Sequence, residues 1–200
     1  MTWSSIAYAL VCVALGGFVR GYAGFGAAMI WVSSLSLVFP PALVVPCVLL
    51  LDIVASVQLI PTTWRLAHWR SLRWLLAGSV LGIPLGQLLL AKTPDDLARI
   101  AIGVMLLAAT AITARGASFR ALPRRRATVA LGMASGVFNG GAAIGGPPAV
   151  LMYLSTQLSV AAVRASLITY FFCLDALATA AAAATGLLTT QAAVLAAVLL

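Results

Sequence analysis

The most constraining feature of this sequence is a stretch of 37 residues, 127–163, that contains no charged side chain. A helix rises ~1.5 Å per residue and the hydrocarbon core of a membrane is ~30 Å thick, so a single helix of this length would be far too long. Other uncharged runs cover residues 21–51, 74–91, 100–114 and 176–200. These runs predict membrane-spanning helices, exclude a soluble globular domain, and require that the longest runs be broken.

Composition excludes further classes of protein. Hydrophobic residues make up 63% of the chain and charged residues 8%, and the formal net charge is +8. The Lys and Arg residues lie between the apolar runs instead of forming a basic face interleaved with aromatic side chains, so no nucleic-acid partner is expected. The cysteines, Cys12, Cys47 and Cys173, lie inside apolar runs without the spacing of metal ligands, so we expect no metal site and no other cofactor.

Glycine and proline indicate where the longest helices break. Residues 139–148 read Asn-Gly-Gly-Ala-Ala-Ile-Gly-Gly-Pro-Pro. Glycine relaxes the backbone, and proline removes a donor but suits the first turn of a new helix. By the same length argument, the run 21–51 breaks at Pro40 and Pro41. The sequence therefore predicts an all-α, polytopic transmembrane bundle. Its apolar segments are 5–19, 21–39, 42–60, 74–91, 97–114, 127–138, 149–163, 165–185 and 189–200.

The basic residues are sorted by side. If successive loops alternate across the membrane, ten of the 12 basic residues fall on one side, and only Lys92 and Arg99 fall on the other. An excess of Lys and Arg marks the cytoplasmic side. Residues 116–126 are therefore predicted to form a basic cytoplasmic loop that sets the topology, with a lipid-headgroup contact as the alternative. The ten residues are Arg20, Arg65, Arg70, Arg73, Arg115, Arg120, Arg124, Arg125, Arg126 and Arg164.

Two parts of the chain carry the same short patterns in the same order. Residues 13–16, Val-Ala-Leu-Gly, recur at 129–132, and each copy leads into a glycine-rich stretch. Leu-Asp at 51–52 recurs at 174–175, and in each case a hydroxyl residue lies four positions after the aspartate. Matches in the same order at a similar offset indicate an internal repeat.

The predicted repeats are residues 1–115 and 127–200. An odd number of predicted segments precedes the second copy, so the two copies are expected to run in opposite directions through the membrane. Two inverted-topology repeats with broken or re-entrant helices are typical of secondary transporters. The sequence has no nucleophile constellation and no His/Asp/Glu cluster at a predicted interface, so an enzyme is not expected.

The glycine motifs of the two repeats resemble those of the sulfite exporter TauE/SafE family of bacterial inner-membrane proteins. The resemblance rests on Gly21-x-x-Gly24-Phe25-Gly26 and on Gly136-x-x-Asn139-Gly140-Gly141-x-x-x-Gly145-Gly146-Pro147-Pro148. It implies a multi-pass inner-membrane protein that moves sulfite or an organosulfur anion such as sulfoacetate, with export expected over uptake. The family pattern usually ends with one more span, so the second repeat, 127–200, is expected to be shortened at its C-terminus.

A helix broken at membrane depth frees backbone N–H groups that need a partner. The helices that begin after the two glycine stretches would direct these groups and the positive ends of their dipoles at the breaks, and an anion is the complementary ligand. The alternative is that the glycines only allow close helix packing. The candidate binding residues are Arg20, Gly24, Phe25, Gly26, Asn139, Gly140, Gly141, Gly145, Gly146 and Pro147.

Arg20 and Asn139 each have two interpretations. Arg20 is a cytoplasmic loop charge if every segment spans the membrane, whereas in a re-entrant arrangement it lies at the first break, where a guanidinium can hold a sulfonate by two hydrogen bonds. Asn139 lies at the corresponding place in the second repeat, where it either donates its side-chain amide to substrate or caps a helix.

Asp52 and Asp175 lie near the centres of their predicted spans, with Ser56 and Thr179 one helical turn further on. A buried carboxylate repels an anion, so we expect these residues to carry a coupling proton. Alternatively they form a structural pair with Arg20 or Arg164, or serve as the ligands of a cation-selective transporter. The expected partners are a small anion, the lipid bilayer and a proton, and the pattern is compatible with an oligomer.

Overall fold

The computed structural model describes residues 3–114, 123–154 and 156–200, and these residues form ten α-helices and no strand. The all-α prediction is therefore confirmed. Residues 116–122, most of the predicted basic loop, lie outside the described residues. The helices are α1 (Trp3–Ala23), α2 (Ala27–Leu35), α3 (Pro41–Val57), α4 (Ile60–Thr63), α5 (Trp69–Lys92), α6 (Asp95–Ala114), α7 (Arg125–Ala142), α8 (Gly146–Leu154), α9 (Val160–Ala184) and α10 (Thr190–Leu199).

Three of the described helices are long and apolar enough to cross a membrane. They contain the spans Ser4–Tyr22 in α1, Trp69–Lys92 in α5 and Val160–Ala184 in α9. At ~1.5 Å per residue, a helix of roughly 20 residues covers the ~30 Å hydrocarbon core. The helices α3 and α10 are apolar but shorter. The chain is therefore a membrane protein in which full-length helices are combined with short ones.

The glycine and proline stretches interrupt helices as predicted. Residues 24–26 separate α1 from α2, and residues 143–145 separate α7 from α8. Pro40 lies immediately before α3, whose first residue is Pro41. In each case the interruption coincides with residues that either adopt left-handed backbone angles or lack an amide hydrogen.

Two boundaries predicted at charged residues are wrong. Arg20 lies inside α1, which continues to Ala23. The segment predicted to run over 149–163 ends at Leu154, and α9 begins at Val160, so Arg164 lies inside a helix and does not separate two. The reason is local capping, because the Ser159 hydroxyl accepts a hydrogen bond from the Ala162 N–H at 3.3 Å and fixes the start of α9. A charged residue does not end a helix by itself.

Helices α5 and α7 lie side by side with their backbones in contact. Each contributes three glycines at four-residue spacing, so the glycines share one face. A Cβ atom on Gly78 would lie 2.0 Å from the Val129 carbonyl oxygen, and one on Gly132 would lie 2.0 Å from the Leu75 carbonyl oxygen. Only glycine allows this approach. The glycines are Gly78, Gly82 and Gly86 in α5 and Gly132, Gly136 and Gly140 in α7.

Helix α9 runs parallel to α5. Near the start of α5, the His68 N–H donates to the Ser166 hydroxyl at 2.9 Å. One end of α9 is thereby fixed beside the basic first turns of α5. Further along, the Ser79 and Tyr170 hydroxyls are 2.8 Å apart, and the Gln87 side-chain amide donates to the Ala178 carbonyl at 2.7 Å. Asp175 therefore lies level with the middle of α5.

Helices α1 and α2 form a helical hairpin, called here the first hairpin. The Trp31 indole N–H donates to the Val13 carbonyl at 3.0 Å, and the Tyr8 hydroxyl lies 3.4 Å from the Ser34 carbonyl. These contacts show that α2 runs back along α1. Just after α2, the Ser36 carbonyl accepts from Arg99 Nε at 2.8 Å, so α2 ends near the start of α6.

Helices α7 and α8 form a second hairpin. Near the end of α8, the Tyr153 hydroxyl lies 3.0 Å from the Ser71 hydroxyl in the first turn of α5. Thr128, near the start of α7, lines the same surface cavity as Ser71. Both ends of the second hairpin therefore lie beside the start of α5, and its break lies deeper along that helix.

Candidate binding site at the two helix breaks

The two helix breaks line one cavity. It is about 30 Å³ in volume, which is room for roughly two water molecules. Its lining comes from α1, α2, α3, α7, α8 and α9 together with both breaks. The lining residues are Arg20, Phe25, Gly26, Ala28, Met29, Asp52, Asn139, Ala143, Ile144, Gly145, Gly146, Phe171 and Asp175. We call this the joint cavity.

Arg20 lies in the last turn of α1 and is buried, with 4% of its surface exposed. Its Nη1 donates to Asp52 Oδ1 and its Nη2 donates to the Ser56 hydroxyl. Ser56 in turn donates to the Asp52 carbonyl at 2.7 Å. The structure thus places Arg20 in a buried ion pair at the joint cavity and not in a loop. Because buried charges are costly without partners, this pair also explains why both residues lie among apolar helices.

The first break is built from glycines with left-handed backbone angles. Gly24 has φ 82° and Gly26 has φ 95°, a region that other L-residues adopt only with strain. Gly26 is the N-cap of α2 and provides no side-chain cap for its first turn. Ala28 and Met29 of that turn line the joint cavity. The positive end of α2 therefore faces the cavity.

The second break is satisfied internally. The Gly145 N–H donates to Asn139 Oδ1 at 3.2 Å, and the Ser135 hydroxyl donates to the Gly145 carbonyl. The first turn of α8 contains Pro147 and Pro148, which have no amide hydrogen. This break consequently offers fewer backbone donors than the sequence pattern suggests, and Asn139 lies within α7, where it holds the break in place.

Asp175 of α9 also lines the joint cavity, close enough to the ion pair for its carboxyl to interact with Asp52 and Arg20. Its Oδ1 accepts from Asn139 Nδ2 at 2.9 Å, whereas its Oδ2 is buried and has no hydrogen-bond partner among the described residues. The Thr179 hydroxyl, one turn further on, is likewise unpaired within the described part of the chain. Arg20 Nε is a third buried polar atom without such a partner. Arg20 and Asp175, which both line the cavity, thus hold one unused donor and one unused acceptor.

Four of the predicted binding residues lie outside the joint cavity. A Cβ on Gly24 would lie 3.1 Å from Arg164 Nε, so Gly24 faces that side chain. Gly140 and Gly141 contact the backbone of α5, and Pro147 is buried in the first turn of α8 without lining the cavity. The structure brings together the other six, which are Arg20, Phe25, Gly26, Asn139, Gly145 and Gly146.

The second break is supported by a hydroxyl network that was not predicted from the sequence. The Tyr170 hydroxyl donates to Ser135 at 2.7 Å and lies 2.8 Å from Ser79, which donates to the Gly132 carbonyl at 3.1 Å. All three side chains are fully buried or nearly so. The only signal in the sequence was their place in otherwise apolar helices, since a buried hydroxyl needs a partner. Phe171 and Met29, which also line the cavity, carried no such signal.

No group of three or more His, Cys, Asp or Glu side chains that could hold a metal ion occurs in the described ranges. The polar groups at the joint cavity are one guanidinium, two carboxyls and one amide. With Asp52 paired to Arg20, only Asp175 lacks a cationic partner in this set. With both carboxyls ionised, the site carries one negative charge in excess, and neutralising a carboxyl would favour binding of a further anion.

Comparison with known proteins gives one match. The sequence matches the family described as Sulfite exporter TauE/SafE over residues 9–200. No curated protein and no solved structure is similar enough to count as a match. Because the match covers nearly the whole chain, the protein belongs to the sulfite exporter TauE/SafE family, and it is a membrane transport protein.

Proposed function

From this family membership and the geometry of the joint cavity, we propose that the protein is a secondary transporter that exports a small sulfur oxyanion, sulfite or an organosulfonate, across a bacterial inner membrane. The observation that carries the proposal is that two breaks more than a hundred residues apart in sequence line one cavity together with Arg20. Broken helices that meet deep in a bundle are the usual substrate sites of secondary transporters. Alternating access would then open this cavity first to one side and then to the other.

We further propose that the two hairpins are re-entrant and belong to inverted repeats. The first hairpin ends beside Arg99 at the start of α6, the helix that follows the end of α5. The second hairpin begins and ends beside Ser71 at the start of α5. Because α5 is long enough to cross the membrane, these contacts support entry of the two hairpins from opposite faces.

Substrate binding is assigned chiefly to the first break. Arg20 has an unused Nε donor among the described contacts, and the uncapped first turn of α2 faces the same cavity. Both features favour an anion. A cavity of about 30 Å³ admits only a largely dehydrated ion, so a compact anion such as sulfite fits with less rearrangement than a sulfonate with a carbon chain.

The charges at the joint cavity support proton coupling. An anion that binds Arg20 must compete with Asp52, which already holds Nη1. A proton on Asp52 would release the guanidinium, and a proton on Asp175 would remove the charge from a carboxyl whose Oδ2 has no described partner. We therefore assign proton uptake during anion binding to these two carboxyls.

The test is flux measured in proteoliposomes with sulfite, sulfate, thiosulfate, sulfoacetate and acetate as substrates. We expect sulfite or an organosulfonate to be transported, and its flux to increase when the proton gradient runs in the direction of anion movement, because the proton is taken up together with the anion. Asp175→Asn should abolish the response to the gradient because an amide does not titrate. Absence of both binding and flux across the panel would overturn the proposal.

A cation-selective transporter is the second candidate, favoured by the buried and unpaired Asp175 Oδ2 and Thr179 hydroxyl, which are oxygen ligands. Arg20→Gln and Asp52→Asn separate the two functions. Loss of substrate binding in Arg20→Gln, measured in variants that remain folded, supports an anion. Loss of substrate binding in Asp52→Asn but not in Arg20→Gln supports a cationic substrate.

Single-cysteine labelling tests the topology. In a variant without Cys12, Cys47 and Cys173, cysteines replace the exposed Leu37, after the first hairpin, and the exposed Gln157, after the second. A membrane-impermeant thiol reagent should label the two positions from opposite faces. Labelling of both from the same face would contradict inverted re-entrant hairpins.

A further inference from the structure

A second cavity lies at the surface where α5 and α7 begin, well separated along α5 from the joint cavity. It has a volume of about 490 Å³, within the range of ~300–1,000 Å³ typical of small-ligand sites. Its lining combines cationic side chains, hydroxyls and an indole. The residues are His68, Arg70, Ser71, Arg73, Trp74, Pro123, Arg125 and Thr128. We call it the basic cavity.

The cations of the basic cavity have no carboxylate partner. The four acidic residues of the chain lie elsewhere, two in the joint cavity and two in the first turn of α6. Arg125 instead stacks on the Trp74 ring, with Cζ 3.3 Å from the ring centroid, and Arg73 Cζ lies 5.3 Å from the same centroid. Stacking of this kind orders a guanidinium without neutralising it. The cavity therefore presents two or more oriented positive charges to a ligand.

From this arrangement we infer that the basic cavity binds the phosphodiester headgroup of an anionic phospholipid. Arginines bind phosphate oxygens through paired N–H groups, and Ser71 and Thr128 add hydroxyls to the same lining. Exposed apolar side chains lie just before the cavity residues in the sequence. We therefore place the cavity at the level of the lipid headgroups, at the membrane surface. Trp64 and Trp69 are exposed and pack edge to face with centroids 4.4 Å apart, as expected for aromatic residues at a membrane interface.

The anion in the basic cavity could belong to a lipid headgroup or to a soluble ligand. A free phosphate or sulfur oxyanion would use the same arginines, but only a lipid would also cover the exposed Leu66 and Trp69 with its acyl chains. The inference does not depend on the transported substrate, since none of the residues that line the basic cavity also lines the joint cavity.

The experiment uses the full chain purified in neutral detergent. Native mass spectrometry and thermal unfolding are measured with phosphatidylglycerol, with phosphatidylcholine, and with soluble glycerol 3-phosphate. We expect a retained adduct and a raised midpoint with phosphatidylglycerol only. The double variant Arg73→Gln with Arg125→Gln should bind this lipid roughly 30-fold more weakly, since each basic residue near an anionic lipid contributes roughly a fivefold factor.

The matched control is Arg65→Gln with Arg126→Gln, which removes the same charge from exposed arginines outside the cavity lining. Retained phosphatidylglycerol binding in this control supports the site. Equal weakening in both double variants would show a diffuse charge effect and overturn it. An equal response to glycerol 3-phosphate would assign the cavity to a free anion and also overturn the lipid inference. Thermal midpoints without added lipid identify any variant that has lost its fold.

Discussion

The first and second hairpins meet at one cavity but are packed in different ways. In α7, Gly132 and Gly136 lie against the backbone of α5, and an added Cβ would approach it to 2.0 and 2.6 Å. In α1, an added Cβ on Gly17 or Gly21 would meet no described atom within 4 Å. Only 22% of the α1 span is buried. The second hairpin is therefore fixed to α5, and the first is peripheral and held by fewer contacts.

The two breaks differ in chemistry as well. The first break has a buried guanidinium and an uncapped helix start. The second uses Asn139 and Ser135 to satisfy its own backbone, and the first turn of its next helix contains two prolines. Similar glycine motifs thus produce a charged, unsatisfied break and a neutral, satisfied one. The comparison suggests a division of roles, in which the first break binds the anion and the second supports it.

The largest loss of stability is expected when the contact between α5 and α7, which fixes the second hairpin, is disrupted. Gly82→Ala would place a Cβ 2.1 Å from the Met133 carbonyl oxygen, and no side-chain movement relieves a clash with backbone. We expect little folded protein, measured by size-exclusion chromatography in detergent. Gly17→Ala in α1 is the control and should be neutral or stabilising by up to ~1 kcal/mol. Wild-type behaviour of Gly82→Ala would show that α5 and α7 are not in backbone contact.

A smaller loss is expected at the ion pair of the first break. Arg20→Gln leaves Asp52 buried without its cation and should cost about 3–5 kcal/mol of unfolding free energy. Adding Asp52→Asn removes that charge and should restore most of the stability but not anion binding. Thermal unfolding and substrate binding are measured on both variants. A double variant as unstable as Arg20→Gln would contradict the pairing.

Asn139→Ala tests the supporting role of the second break. The change leaves the Gly145 N–H and Asp175 Oδ1 without their partner and should cost about 2 kcal/mol. Anion affinity of the folded fraction should change much less than it does in the double variant at Arg20 and Asp52. If Asn139→Ala abolished binding while unfolding at the wild-type temperature, the proposed division of roles would be wrong.

The smallest effect is expected at Gly26, where space is not limiting but the backbone is left-handed. Gly26→Ala should cost about 1–2 kcal/mol because of the unfavourable φ of 95°. Gly186→Ala is a matched control, since Gly186 has φ 74°, also has open space around it and lies outside the joint cavity. Both variants should lose similar stability, and only Gly26→Ala should reduce transport in proteoliposomes.

The sequence predicted the helical class and the places where helices break, because these follow from run length and from the backbone properties of glycine and proline. It left two places open for Arg20, a cytoplasmic loop and the first break inside the bundle, since a charge marks a boundary only when no partner such as Asp52 is available. The sequence also did not predict which helix packs against the glycine face of α7. The four-residue spacing in α5 and α7 is readable in the sequence, but which helices pair along it depends on the whole fold.

The contact between α5 and α7 also limits how the proposed transporter can change shape. Along three successive turns, glycine Cα atoms of one helix face carbonyl oxygens of the other, so a shift by a single residue would bring side chains into the neighbouring backbone. The pair can rotate as a rigid unit but cannot shear. If the rotation axis lies near this pair, the first hairpin, on the far side of the joint cavity, would move further than the second.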